Sequence, residues 1–441
     1  MKKVRNQEGI KIITNSGWLF TDKILRQGLN FLLTAYIARY LGAAVFGEWN
    51  YAIAFVALFS FFSSLGLYNI LLRDFVRFPE RAGEIIGSAM SLRFLGGCLT
   101  LLFSIGAIAL FKPDAHALQL LILITATTYI AQSADVVDFY FQSHLKSNWI
   151  AISRGISFAL FALIKLALVY YEFTILYFAI AQTAELIFSG FLMVFFLRMS
   201  LPLSSIKMSF PLIKSLVRDC LPIVFAEVAI VIYMRTDQVM IGEMIGDRAV
   251  GNYSVAVRLS EIWYFIPGII CSSVFPSIVH AHSQSISLYK VKLQQLYDLL
   301  AGLSVGIAVV MSFTSFWIIH ILFGPDYSEA SSVLIIHIWA GVFVFWGLAS
   351  NQQLVVEGLT KLSLYRTIIG MIVNVVFNFI LIPTMGIKGA AIATLLAQAS
   401  STWFSSLLFR QSRPIFWMNL RSLNPIRFIT LLNTVLRKEF L

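Results

Sequence analysis

The 441 residues are 59% apolar and only 12% charged, with a mean hydropathy of +0.82, where ordinary soluble domains are about 45–50% apolar and about 25% charged. A membrane solvent is the simplest cause; this composition excludes disorder and leaves little for a soluble catalytic domain, while supplying enough apolar residues for roughly twelve spans of about 20. The net charge of +11 does not argue for nucleic acid, because the basic residues sit in short loops between apolar runs and not on a soluble basic face.

Along the chain, apolar segments cover 17–40, 49–71, 86–111, 118–140, 149–171, 174–197, 220–242, 252–278, 294–321, 330–352, 364–383 and 388–409. Each is long enough to cross a bilayer. None shows the period-two alternation of barrel strands, and hydrocarbon requires each backbone amide to be paired within its own segment. The predicted fold is therefore an all-α polytopic membrane protein of about twelve transmembrane helices. Lys2, Lys3 and Arg5 resemble the start of a signal peptide, but Asp22, Lys23 and Arg26 interrupt the next segment, which reads as a retained first helix. With the amino terminus in the cytoplasm, 23 of the 33 Lys and Arg fall in cytoplasmic loops and tail, Arg154 and Arg366 among them. Only Lys112, Arg248 and Lys388 fall in outer loops. That asymmetry follows the positive-inside rule and predicts two cytoplasmic termini.

An internal repeat appears at a constant offset of 204. Leu41-Gly42 through Phe46-Gly47-Glu48-Trp49-Asn50-Tyr51-Ala52 aligns with Ile245-Gly246 through Val250-Gly251-Asn252-Tyr253-Ser254-Val255-Ala256. Two six-helix halves related by an axis along the membrane normal follow from it, with a transporter architecture and a substrate site between halves that rock. The expected division is an N-terminal half over 1–200, a cytoplasmic linker over 201–218, a C-terminal half over 219–410 and a basic tail over 411–441. In the tail, Ile426, Ile429, Leu432, Leu436 and Phe440 fall at helical spacing. They predict an interfacial helix on anionic membrane lipid, a frayed end being the alternative.

Charges inside spans cost about 2.5 to 3.5 kcal/mol each on insertion scales, so retained ones face a cavity or a partner. The basic ones are Lys23, Arg26, Arg93, Lys165, Arg235 and Arg258; the acidic ones are Asp22, Asp135, Asp138, Glu185, Glu227, Asp237 and Glu261. Lys23, Arg26, Asn30 and Thr34 form one polar stripe on the first helix. Asn374 and Asn378 at i,i+4 line the same cavity or bridge helices. For any single residue the alternative is a satisfied ion pair or a snorkelling end residue. Asp22 with Arg26, and Arg258 with Glu261, are spaced to neutralise each other within a helix.

No phosphate loop, H-E-x-x-H or dinucleotide glycine turn is present, so neither a cofactor nor a metal is expected, and the protein reads as a transporter and not an enzyme. Cys98, Cys220 and Cys271 have neither disulfide nor zinc spacing, and His280 and His282 lack further ligands. Gly302 and Gly306 read as close helix packing.

The stretches Arg39-Tyr40-Leu41-Gly42 through Phe46-Gly47-Glu48-Trp49, Arg235-Thr236-Asp237-Gln238 through Val250-Gly251-Asn252-Tyr253, Leu322-Phe323-Gly324-Pro325-Asp326-Tyr327, and Asn374 to Asn378 followed by Ile382-Pro383 and Gly386 to Ala391 resemble the polysaccharide transport family. That family belongs to the multidrug, oligosaccharidyl-lipid and polysaccharide exporter superfamily. The resemblance implies a flippase of the bacterial inner membrane, moving undecaprenyl-pyrophosphate-linked oligosaccharide repeat units of the O-antigen type to the periplasmic leaflet. A polysaccharide polymerase and a chain-length regulator are the partners it implies. The expected substrate-binding residues are Lys23, Arg26, Asn30, Arg93, Lys165, Arg235, Arg258, Asn374 and Asn378. The expected ion-coupling residues are Glu227, Asp237 and Glu261. Basic side chains suit pyrophosphate, although the interior charge is nearly balanced, which fits a neutral repeat unit as well. A proton- or sodium-coupled multidrug exporter, a peptidoglycan-precursor flippase and a membrane-embedded glycosyltransferase or polymerase are the other readings.

Overall fold

The computed structural model describes the backbone of residues 2–436 and the side chains of residues 25–431. The chain divides into two compact units, with the boundary between Val231 and Ile232. The N-terminal unit carries α1 (Lys2–Ala57), α2 (Phe61–Ser64), α3 (Leu67–Arg77), α4 (Ala82–Phe111), α5 (His116–Ala131), α6 (Asp135–Ser143), α7 (Ser147–Tyr170) and α8 (Ile175–Leu197). Next comes α9 (Phe210–Met244), which crosses the boundary. The C-terminal unit continues with α10 (Asp247–Glu261), α11 (Phe265–Gln284), α12 (Ile286–Leu322), α13 (Ser328–His337), α14 (Ala340–Val356), α15 (Thr360–Met385), α16 (Ile387–Ala399), α17 (Ser405–Leu408), α18 (Arg413–Ser422) and α19 (Pro425–Leu436). Among the described residues, eight helical stretches are long and apolar enough to span a membrane, and a ninth is added by the α13–α14 pair, bent by 45°. The all-helical polytopic fold is thus as expected. Helix α9 starts at Phe210, inside the stretch expected to be a linker, so the irregular connection is only 198–209.

The repeated glycines explain where the first helices of each unit end. Gly42 breaks α1 at φ 76°, ψ 166°. Gly246, 204 residues later, precedes α10 at φ 122°, ψ 178°. Both conformations are open essentially only to a residue without Cβ, so the turn is written into the two positions that the internal repeat aligns.

Several predicted spans are broken where the sequence pattern reads as continuous. After α1 the chain turns through Leu58–Ser60, forms the single turn α2, and passes Leu65 and Gly66 in the left-handed region before α3 begins. Hydroxyl groups attend this break: Thr100 Oγ1 donates to the Phe59 carbonyl at 3.1 Å and Ser63 Oγ to that of Tyr129 at 3.1 Å. Gly96 on α4 lets α2 lie flush, since a Cβ there would fall 1.9 Å from the Phe62 carbonyl oxygen. A 3-10 turn over Gln132–Ala134 separates α5 from α6, and another over Ile262–Tyr264 separates α10 from α11. The breaks at 58–60 and 262–264 are again 204 apart. A five-residue π segment, Ser400–Phe404, interrupts the last predicted span. Irregular backbone at membrane depth survives only where protein or a polar cavity satisfies its amides, so the breaks point to where polar chemistry lies.

The tail folds back on its own unit. Arg427 Nε of α19 donates to Asp298 Oδ2 on α12 at 3.0 Å, and Gln294 Nε2 donates to the Met418 carbonyl of α18 at 3.0 Å. The Phe428 ring occupies the notch left by Gly302, where a Cβ would lie 2.0 Å from the ring. Gly302 therefore receives the tail and not a neighbouring span, and among the described residues no atom of another element lies within 4 Å of where a Cβ on Gly306 would be. Ile426 and Ile429 remain exposed, an apolar stripe turned away from the unit. Leu432, Leu436 and Phe440 lie outside the described side chains.

Candidate functional sites

In the N-terminal unit a cavity of about 230 Å³ is lined by Arg26, Gln132, Asp135, Arg154, Glu185 and Ser189, with Ser157 and apolar neighbours. The helix break supplies two of these: Gln132 lies in the 3-10 turn and Asp135 opens α6 immediately after it. Around the cavity the charges are paired. Arg154 Nη2 bonds Asp138 Oδ2 at 2.5 Å, Lys165 Nζ bonds Glu185 Oε2 at 2.7 Å, and Arg93 Nη2 stands 3.7 Å from Asp135 Oδ2. Arg93 also lies over the Phe139 ring, 5.6 Å from its centre. A second layer holds Asp138 in place: Gln142 Nε2 donates to its Oδ1 at 2.8 Å, and Tyr68 donates to Gln142. Such a cavity offers guanidinium donors and carboxylate acceptors side by side, suited to a polar ligand carrying both phosphate and hydroxyl groups.

The expected residues Arg26, Arg93 and Lys165 are therefore brought together in one unit. Asn30 is exposed on α1 and does not line this cavity; Lys23 lies outside the described side chains. Arg154, counted from sequence as a cytoplasmic loop residue, is inside α7 and lines the cavity. Its signal was present in the spacing, because Arg154 and Lys165 are eleven residues apart, three helical turns on one face. Arg366, counted the same way, is buried inside α15, where it donates to the Ser401 and Thr402 carbonyls of the π segment and to Ser350.

The C-terminal unit holds a second cluster. The Tyr253 hydroxyl donates to Asp237 Oδ2 at 2.5 Å, and the Gln238 N–H donates to Oδ1 at 2.7 Å. Tyr253 reaches Thr394 Oγ1 at 3.3 Å, Asn374 Nδ2 donates to the same oxygen at 3.5 Å, and Asn378 Nδ2 donates to Asn374 Oδ1 at 3.0 Å. Both asparagines are fully buried. Beside this chain lies a void of about 10 Å³, room for one water or a small ion, lined by Asp237, Glu261, Tyr233, Tyr264, His337 and Gln398 among others. Glu261 is within electrostatic reach of Arg235, Asp237 and Arg258. A buried and a half-buried carboxylate on a void of that size, surrounded by hydroxyl and amide oxygens, form an arrangement that can take up a proton or a small hard cation. The amide pair and Asp237, singled out separately from sequence, are thus parts of one network; Tyr253 and Thr394 were missed as its links. Among the described residues no cluster of three or more His, Cys, Asp or Glu suited to a metal occurs.

Glu227 stands apart from that cluster. It accepts a short hydrogen bond from Ser64, at the break between α2 and α3, and Ile223 one turn earlier packs on Gly66. Helix α9 is therefore keyed to the broken second span.

A polytopic helical protein whose charged clusters are built at broken spans has the architecture of a secondary transporter. Residues 12–282 match the family model described as polysaccharide biosynthesis protein, and residues 222–380 match the MatE model. The chain belongs to the polysaccharide biosynthesis protein family. It is 29% identical over 211 residues to a probable low-salt glycan biosynthesis flippase, Agl15, of Haloferax volcanii, and 30% identical over 176 residues to the probable flippase AglR of the same organism. These matches cover 43% and 37% of this chain and span 42% and 35% of the two relatives. The capsular polysaccharide biosynthesis protein CapF of Staphylococcus aureus is 20% identical over 88% of this chain and 96% of its own. Among solved structures, an inward-facing multidrug resistance transporter of the MATE family superposes with a TM-score of 0.70 at 13% identity, covering 91% of this chain and 95% of that one. The lipid II flippase MurJ in an inward closed conformation superposes with 0.68 at 18% identity, covering 96% and 93%. These two likenesses show the fold.

Proposed function

We propose that the protein is a flippase for an oligosaccharide repeat unit linked through a pyrophosphate to an undecaprenyl carrier, moving it by alternating access from the cytoplasmic to the periplasmic leaflet of a bacterial inner membrane. Twelve spans with both termini in the cytoplasm complete this reading. The observation that carries it is the N-terminal cavity, where guanidinium and carboxylate groups face one polar space. The diphosphate and sugars are the parts of such a lipid that cannot cross hydrocarbon, and the cavity replaces their water with Arg26 and Arg154 for phosphate and with Asp135, Glu185 and Gln132 for hydroxyl groups, Arg93 standing behind Asp135. The Asp237–Glu261 cluster takes the coupling ion, a proton or sodium, and Glu227 changes partner at the break of the second span.

The test is to delete the gene and follow single-repeat lipid-linked oligosaccharide in inner-membrane vesicles. Accumulation with the headgroup on the cytoplasmic face, reversed by the intact gene but not by Arg26→Ala with Arg154→Ala, is the expected result. A normally translocated headgroup together with raised sensitivity to cationic drugs would instead make the protein a multidrug exporter, and accumulation of the peptidoglycan precursor would make it a flippase for that lipid.

A further inference from the structure

A second cavity of the N-terminal unit lies away from the intramembrane clusters. It has a volume of about 320 Å³ and is walled by the end of α3 and start of α4 on one side, and by the first turns of α9 on the other. That volume lies at the lower end of the range for small-ligand pockets, about 300–1,000 Å³. Its lining contains Arg73, Arg77 and Arg81, one guanidinium every four residues, opposed by Asp74 and Asp219. The turn it borders, Phe78-Pro79-Glu80-Arg81, is one that the positive-inside count places in the cytoplasm.

The contacts of these arginines differ. Arg73 Nε donates to the adjacent Asp74 at 2.9 Å and its Nη2 stands 3.5 Å from Asp219 Oδ2 on α9. Arg81 bonds Glu84 through Nε and Nη2, at 2.8 and 3.0 Å. Arg77 makes no ion pair among the described residues; its guanidinium carbon lies 5.3 Å from the ring centre of its neighbour Phe78. Three guanidinium groups carry fifteen N–H donors between them, and the contacts above engage four nitrogens. Arg73 is thus engaged by two carboxylates and Arg81 by one, which leaves Arg77 as the guanidinium of the lining without a carboxylate partner among the described residues.

We propose that this cavity is a binding site for a phosphate-bearing anion on the cytoplasmic face, held by Arg77 with Arg73 and Arg81 in the space between α3 and α9. The same chemistry is offered by an anionic phospholipid headgroup and by a soluble phosphate ester. An occupant would compete with Asp219 for Arg73 and so loosen the start of α9 from α3, two turns before Glu227 accepts from Ser64, so occupancy sets how freely that helix leaves the broken span. The site does not depend on the identity of the transported lipid.

The experiment uses the full chain in nanodiscs. In one arm, retention of phosphatidylglycerol over phosphatidylcholine is read by native mass spectrometry; in the other, inorganic pyrophosphate is titrated into phosphatidylcholine discs while the melting temperature is followed. Arg77→Gln is expected to lower binding about tenfold, the loss of one charge-assisted contact. The lipid arm responding identifies a headgroup, and the pyrophosphate arm identifies a soluble ester. Asp219→Asn, which removes the competing carboxylate from α9, is expected to tighten anion binding. A merely structural staple would move the opposite way, with a lower melting temperature and unchanged binding, and that result, or binding by neither probe, overturns the proposal.

Discussion

Lys165 and Glu185 face each other at 2.7 Å with side chains 6% and 21% exposed, Lys165 buried behind the cavity that Glu185 lines. Burial makes such a pair asymmetric: its net contribution is small, while a lone charge left behind is costly. Lys165→Met or Glu185→Gln alone is therefore expected to destabilise the protein by about 2–3 kcal/mol, somewhat below the about 3–5 kcal/mol of a sealed pair because Glu185 opens on the cavity. The double substitution should recover most of that. Thermal unfolding of the four proteins in detergent checks it, and additive losses in the double variant would mean that the two residues do not act as a pair. The same residues show what one sequence discloses at this scale. That Lys165, Arg93 and Glu185 are unusual could be read from their place in apolar runs, because charge in hydrocarbon has to be explained. Which cation meets which anion could not, since Lys165 and Glu185 are on different helices and their pairing depends on helix rotation. Arg154 was misplaced for a related reason: it falls within the apolar run 149–171, but a cation one turn from the start of a span reads equally well as a residue at the loop boundary, and only the packed unit shows that it meets Asp138.

At the scale of elements, the turns were legible and the breaks were not. Gly42 and Gly246 could be aligned because a turn with φ above +60° and ψ near 180° accepts glycine almost alone, so a backbone demand becomes a letter in the sequence. Gly246 tests this cleanly, because no atom stands within 4 Å of where a Cβ would be. Gly246→Ala is expected to cost about 1–3 kcal/mol from backbone strain alone, read as a lower melting temperature, while Gly306→Ala, in a helix and equally uncrowded, should be neutral or slightly stabilising. Equal effects would show that the turn relaxes into another conformation. The breaks at 58–66, 132–134 and 262–264 contain no proline; Ser60, Ser63, Ser64 and Gly66 at the first and Gln132 and Ser133 at the second are small or polar, but spanning helices carry such residues too, so they do not locate a break by themselves. Their partners, Thr100 and Ser63 hydroxyls and the flush surface at Gly96, are distant in sequence and become visible only in the packed unit. The tail gave a mixed outcome: the helical spacing of Ile426 and Ile429 was correct, but Arg427 and Phe428 between them hold it to α12.

At the scale of the whole molecule, orientation rests on charge counted over loops, and the structure alters the count before it is tested. Arg154 lines the intramembrane cavity and Arg366 is buried among α15 and the π segment, which removes two residues from the cytoplasmic tally; the charges at the helix ends and connections still differ strongly, with Arg73, Arg77, Arg81, Lys146 and Arg198 on one side of the N-terminal unit and Lys112 on the other. Each loop cation held on the cytoplasmic side adds to the bias, so the loss of two leaves its sign unchanged. Single cysteines in a Cys98→Ala background provide the measurement, since Cys220 and Cys271 are buried. Glu80→Cys and Ser204→Cys, at exposed positions in connections expected to be cytoplasmic, should resist a membrane-impermeant maleimide in intact cells and react once the membrane is opened. Asp114→Cys and Glu329→Cys, exposed in connections expected to be periplasmic, should react without opening. Labelling of Asp114→Cys together with Glu80→Cys would mean that α4 does not cross. Labelling of Glu80→Cys and Ser204→Cys alone would mean the chain is inverted, placing the arginine cavity at α3 outside the cell and reversing the direction of transport inferred from the charge of the loops.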